Sequence, residues 1–308
     1  MLEKIKPYLL DGATVIEHAK YLEVPIENPS EEIKANAYYF NHPDWAAEYL
    51  QYCHRSDTFK SRWSAAMGDW TNKVVLDIGC GPGNILATLQ VKPRLIIGVD
   101  VASTSLELAH GIGYTPLLAD ANHLPFIPGF ADIVVLNATL HHCEDMKSIL
   151  KEAARMVKSG GLIITDHDPQ LSAWDYKGAA KLLWNARLYV YKIMGRGFHK
   201  TDSQQEWALA CEIHHKPGHG VTRELFKEIL EPLNFTVNIY PHNHDLGSEV
   251  LKGNKGQAEL KYRIGNLLSG RNPKADRSAL SLMCVGTKAI PAKNESDILK
   301  SSGQLADF

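Results

Sequence analysis

Three glycines within five residues, Gly79, Gly81 and Gly83, stand just after an acidic residue, Asp77, which itself follows the apolar run 74-VVL-76. Glycine supplies no side chain and loses much chain entropy on folding, so this spacing marks a backbone that something large must approach closely. Two further carboxylates, Asp100 and Asp120, lie where the next apolar runs, 94-RLIIGV-99 and 115-TPLL-118, give out. Imidazoles follow later runs: His141 and His142 in 137-NATLHH-142, His167 in 166-DHDP-169, and a cluster in 214-HHKPGHG-220. Carboxylates beside a bare backbone can accept hydrogen bonds from hydroxyl and amino groups, and an imidazole can take a proton near neutral pH.

These residues need elements to position them. Strands are expected at 73–78, 94–99, 115–118, 131–137 and 161–166, with helices near 83–90, 102–110 and 144–158. Short strands apolar on both faces and alternating with helices require a parallel sheet covered on both sides. Ligands of such open sheets bind beyond the carboxyl ends of the strands, where the glycines, acids and histidines fall. A further helix is expected over 222–235, a strand over 234–241 and a last strand over 280–289, with a long connection at 242–277 holding a helix near 256–268.

The loop 77-DIGCGPGN-84 is not spaced for a phosphate. A dinucleotide fingerprint places its third glycine where this chain has Asn84, and the Gly-Lys-Ser/Thr of a P-loop is missing. That spacing argues against the competing reading, a dinucleotide-binding oxidoreductase on the same sheet. Asp100, about twenty residues beyond the glycines, suits the two hydroxyls of a ribose, and Asp120 suits an adenine amino group. Two acids beside the loop would repel a pyrophosphate; they fit a ligand with ribose, adenine and a positive centre. Asp100 and Asp120 could also serve as helix N-caps.

Taken in order, 74-VVLDIGCGPGN-84, 98-GVD-100, 119-ADANHLPF-126, 132-DIVVLNATLHHCED-145 and 158-KSGGLIITD-166 resemble the class I S-adenosylmethionine-dependent methyltransferases, in particular the small-molecule group that includes the ubiquinone and menaquinone methylating enzymes. The resemblance covers residues 72–168 and implies an α/β, Rossmann-like seven-stranded sheet with helices on both faces and S-adenosyl-L-methionine as cofactor. It also implies that Gly79, Gly81 and Gly83 line the methionine moiety and that Asp77 holds its amino group through water. Asp100 would take the ribose, Asp120 and the backbone of Ala121 the adenine, while Asn137 and His142 serve the cofactor side of the following loop. Around this core, at 71–169, the expected organisation is a helical cap at 1–70, a helical lid insertion at 170–220, C-terminal core strands with an inserted lid segment at 221–290, and a tail at 291–308.

The acceptor is expected to be a small, hydroxylated, partly hydrophobic organic molecule, methylated on oxygen; N- or C-methylation and a non-catalytic cofactor-binding protein are the alternatives. A hydroxyl of ordinary pKa needs a base, and His141 and His167 are the candidates. No metal ligands are assigned, although Asp166 and Asp168 raise the question of Mg²⁺. Trp174, Tyr176, Trp184, Tyr189, Tyr191 and Phe198 read either as an acceptor surface or as the core of a helical cap, and Tyr38, Tyr39 and Phe40 as a segment that folds across the cofactor. Apolar content of 44%, charged content of 22% and net charge -2 give no electrostatic footprint for nucleic acid. The five scattered cysteines form no CxxC pair, and the first twenty residues lack the pattern of a signal peptide, which together suggest a cytoplasmic protein. Charges interrupt the longest apolar helix, at 177–195, so membrane insertion is not expected. The oligomeric state is left open.

Overall fold

The computed structural model describes residues 1–291 except Trp174, 196–201, 203–205, 207–209, 213 and 215–217. Trp174, Phe198, His215, the side chain of Tyr191 and the tail from 292, all raised above, lie outside the described residues.

In chain order the elements are α1 (Leu2–Ile5), β1 (Ile16–Glu17), β2 (Leu22–Glu23), α2 (Glu31–Phe40), α3 (Pro43–Tyr52), α4 (Asp57–Met67), β3 (Val74–Ile78), α5 (Asn84–Leu89), β4 (Leu95–Asp100), α6 (Ser103–Ile112), β5 (Thr115–Leu118), β6 (Ala131–Asn137), α7 (Met146–Met156), β7 (Val157–Asp166), α8 (Gly178–Met194), α9 (Arg223–Leu230), β8 (Phe235–His242), α10 (Leu260–Leu268) and β9 (Ser281–Lys288). They build one sheet in the order β1-β2-β5-β4-β3-β6-β7-β9-β8. Strands β3 to β7 run parallel, and β9 enters antiparallel between β7 and β8.

The seven strands β3 to β9 form the expected core, but the sheet has nine. The extra pair, β1 and β2, is a two-residue hairpin in the segment read as helical, and it extends the sheet through Leu22 and Glu23 beside Leu117 and Leu118 of β5. Two residues are too few for an alternating pattern to register, so only the buried Leu22 carries a signal. Strand β7 also starts earlier than expected, because α7 ends at Met156 and the chain continues extended through exposed Lys158, Ser159 and Gly160.

Alternation along β3 divides the core between the two faces of the sheet. Val74, Leu76 and Ile78 pack with Ile149 and Leu150 of α7 and Phe226 of α9. Val75 packs on the other side with Phe59 and Trp63 of α4, Ile85 of α5 and Leu106 of α6. Side-chain caps fix the helix starts: Ser30 accepts from Ile33 N at α2, Ser56 from Phe59 N at α4, Asp145 from Lys147 N and Ser148 N at α7, and Thr222 from Leu225 N at α9. Helix α8 packs on α10. Tyr176, buried with Ala173, Ala180, Ala258 and Leu280, meets Trp184 edge-on, and Trp184 reaches Tyr262.

Candidate active site

A cavity opens at the carboxyl ends of β3, β4, β5 and β6, walled on its far side by α2 and α3. Of the residues singled out from sequence, Asp77, Gly79, Gly81, Asp100, Asp120, Ala121, Asn137 and His142 line it; Gly83, His141 and His167 do not.

The glycines have separate reasons. At Gly79, where φ is +70°, a Cβ would stand 2.5 Å from the Thr139 side chain, so this residue lets the loop after β6 close over the end of β3. At Gly81 a Cβ would meet nothing within 4 Å; the bare backbone there faces open space. Gly83 sits against Tyr114 and the Ala109 backbone and begins α5.

Asp100 holds the loop together. Its Oδ2 accepts from Gly81 N at 2.8 Å, and its Oδ1 accepts from Val101 N at 2.8 Å and Ala102 N at 3.0 Å. Burial raises its pKa, against the pull of these backbone donors. Asp120 Oδ1 accepts from the backbone and side-chain nitrogens of Asn122, both at 2.9 Å. Asp77 is buried, its Oδ2 accepts the Tyr114 hydroxyl at 2.7 Å, and burial pushes its pKa up to about 7. Its Oδ1 and the side-chain oxygen of Asn137 are buried acceptors with no partner within the protein. Buried acceptors of this kind are costly unless a ligand or water completes them, and both belong to residues of this cavity.

On the opposite wall sequence reasoning marked Phe40, which does line the cavity, but missed Tyr49 and His54 beside it; the Tyr49 hydroxyl lies 2.9 Å from His54 Nε2. Phe40 also meets the ring of His142 edge-on, whereas Tyr38 is exposed and Tyr39 is buried against Trp45 and Cys211. Among the described residues none of the aromatics of the 170–220 segment lines the cavity, and Tyr189 is exposed. The packed Tyr176 and Trp184 follow the cap-core alternative.

His54 belongs to a second layer of histidines. Its ring lies 4.6 Å from that of His167, which lies 4.4 Å from His244, and His242 reaches Asp166 at 2.7 Å. His54, His167 and His244 all have φ between +59° and +69°, backbone strain of the sort that collects at functional sites. Burial, reinforced by the neighbouring His167, holds the His54 and His244 pKa values well below the usual imidazole range.

Asp166 and Asp168 do not share a side suited to Mg²⁺. Both are buried; Asp166 pairs with Arg62 Nε at 3.0 Å, whereas Asp168 accepts from the His141 backbone at 3.0 Å and faces its Nδ1 at 2.8 Å. His141 is therefore turned onto Asp168 and lies outside the cavity lining. His142 does line the cavity; burial lowers its pKa to about 4, and its Nδ1 lies 2.8 Å from the Cys211 carbonyl oxygen.

Residues 76–165 match the family model described as a methyltransferase domain. A demethylmenaquinone methyltransferase of Lactococcus lactis is 28% identical over 56% of this chain and 71% of its own length. A ubiquinone biosynthesis O-methyltransferase of Bordetella bronchiseptica is 29% identical over 44% of this chain and 57% of its own. The chain thus spans little more than half of the second relative. Among solved structures, the geranyl diphosphate C-methyltransferase of Streptomyces coelicolor A3(2) superposes with a TM-score of 0.51 at 14% identity, over 86% of this chain and all of that one, a likeness of fold. Residues 76–165 are thus a methyltransferase domain of the class I S-adenosylmethionine-dependent kind, whose cofactor is S-adenosylmethionine. The unpartnered acceptors of Asp77 and Asn137 and the open backbone at Gly81 fit that cofactor. No helix among the described residues is long and apolar enough to cross a membrane.

Proposed function

We propose that this protein transfers a methyl group from S-adenosylmethionine to a hydroxyl of a small, partly hydrophobic organic acceptor. The observation that carries the reading is the division of one cavity: strand-end acids and bare backbone on one wall, an aromatic wall bearing the Tyr49–His54 pair on the other. The relatives that methylate oxygen in ubiquinone biosynthesis support the choice of oxygen.

The cofactor supplies an electrophilic methyl on a sulfonium. On the first wall Asp77 receives its amino group, Asp100 the ribose hydroxyls, Asp120 and Ala121 the adenine, with Gly79 and Gly81 admitting the methionine and Asn137 and His142 bordering it. On the second wall the proton of the acceptor hydroxyl passes to Tyr49 Oη as the Tyr49 proton passes to His54 Nε2. Burial keeps the Tyr49 hydroxyl protonated and the His54 ring neutral, the states this relay needs. His54 thereby takes the role expected of His141 and His167, with His167 packed behind it. Residues 1–70 and 170–220 act as cap and lid to the core, and the scattered cysteines keep a cytoplasmic setting part of the reading.

The test is a metabolite extract incubated with isotopically labelled cofactor and followed by mass spectrometry. Label in a methyl ether or ester supports the proposal. Label found only on nitrogen or carbon refutes it.

A further inference from the structure

Three side chains converge beside the cavity in a way that methyl transfer does not account for. One donor atom each from His141, His142 and Glu212 lie within 4.8 Å of one another, with His141 Nε2 and Glu212 Oε2 at 3.4 Å. The Nδ1 nitrogen of each ring is held by an acceptor. His141 Nδ1 faces Asp168 Oδ1 at 2.8 Å, and the same oxygen accepts the His141 backbone N–H; His142 Nδ1 faces the Cys211 carbonyl oxygen at 2.8 Å. A carbonyl can only accept, and Asp168 Oδ1 already serves as the acceptor of the His141 backbone N–H, so the proton of each ring is assigned to Nδ1 and the lone pair to Nε2.

We propose that His141, His142 and Glu212 bind one divalent transition-metal ion of the Zn²⁺, Co²⁺ or Fe²⁺ kind. Two imidazoles and a carboxylate form a nitrogen-rich set that suits these ions and not Mg²⁺ or Ca²⁺, which take oxygen. Tetrahedral bonds of about 2.1 Å place neighbouring donors about 3.4 Å apart, the separation between His141 and Glu212. A carboxylate or carbonyl behind each ligating histidine is the arrangement that orients the ring and raises its basicity, and Asp168 and the Cys211 carbonyl stand in those places. Glu212, its side chain 33% exposed, gives the ion an entry path, while His141 and Asp168 are buried. Three protein ligands leave a position for water or an oxygen of a bound molecule, and His142 also lines the cofactor cavity. This assignment does not depend on which atom is methylated, and it departs from the sequence expectation, which weighed Asp166, His167 and Asp168 for Mg²⁺. The competing account is an ion cluster in which a protonated His141 lies between Asp168 and Glu212.

The test uses the full chain, stripped with a chelator and titrated with Zn²⁺ by calorimetry and with Co²⁺ by visible absorption, with far-UV circular dichroism to verify folding. The expected results are one ion per chain, Co²⁺ ligand-field bands, and binding weakened about 10- to 100-fold in D168N, which alters only the group behind the ligand. E212Q, at a partly exposed position, should weaken binding at least as much. A double H214A/H219A variant, which removes the neighbouring exposed histidine pair, should bind as the parent does. If the folded parent binds no Zn²⁺, if E212Q binds as tightly as the parent, or if the ion is lost with His214 and His219, the metal site is refuted.

Discussion

The Tyr114 hydroxyl donates to Asp77 Oδ2 at 2.7 Å inside the core, and the other oxygen of that carboxylate has no partner in the protein. One oxygen is thus held by the fold and one is left for a ligand. Burial, only partly offset by Tyr114, pushes the Asp77 pKa to about 7, so the carboxylate is half ionised at neutral pH.

This sets a pH dependence. A cationic amino group favours the ionised form, so affinity for S-adenosylhomocysteine should rise by about tenfold between pH 6 and pH 8, and calorimetry of D77N should show a flat, weaker profile. Stability of the unliganded protein runs the other way. Between the ordinary value of 3.8 and about 7 the folded state keeps a proton that the unfolded chain has lost, so the Asp77 contribution declines as pH rises through that window and levels off above it. Urea titrations of the parent and D77N across pH 4 to 8 would measure the difference.

Arg62 and Asp166 form a fully buried pair, with the Arg62 Nη1 donating to the Leu246 carbonyl at 2.8 Å and His242 contacting the second Asp166 oxygen. Burial would raise the Asp166 pKa, but Arg62 first and then His242 outweigh it and hold it well below the usual carboxylate range. R62M leaves that carboxylate without its cation and should cost about 3–5 kcal/mol in urea unfolding. A loss under about 1 kcal/mol would show that the pair does not anchor α4 to β7.

The proton relay predicts that Y49F and H54A each lower kcat by at least about tenfold with the acceptor found by labelling, while S-adenosylhomocysteine affinity stays within about twofold. H167A, which alters a ring behind the relay, should have the smaller effect. Full turnover in both Y49F and H54A would remove the base from the account and favour transfer to an already ionised oxygen.

The half of the cavity that was legible in the sequence is the half built locally. Asp77, Asp100 and Asp120 each end an apolar run, and strand geometry alone carries each to the same edge of a parallel sheet. The other half depends on segments remote in sequence. Tyr49 and His54 reach the cavity because α3 packs beside α6 and Asn84 Nδ2 donates to the Tyr49 and Cys53 carbonyls, contacts that no periodicity announces. A trace existed in Asn84 itself, the residue that breaks the dinucleotide spacing. The resemblance set His142 on the cofactor side, and it lines the cavity; His141, expected as a base, is turned by the fold onto Asp168, a contact 27 residues away that the sequence does not announce. The aromatic residues after 170 could not be assigned from sequence between an acceptor surface and a cap core, because the choice rests on remote packing: Tyr176 is buried with Ala180 of α8, Ala258 and Leu280.

The central claim is that the cavity at the ends of β3 to β6 holds S-adenosylmethionine, and calorimetry with S-adenosylhomocysteine tests it most directly. The account predicts one molecule bound per chain, with affinity reduced at least about tenfold in D100N, which keeps the shape of the loop residue but removes the charge that receives the ribose hydroxyls. It also predicts that NADH does not compete. No binding by the folded parent protein, or binding that D100N leaves unchanged, would contradict it.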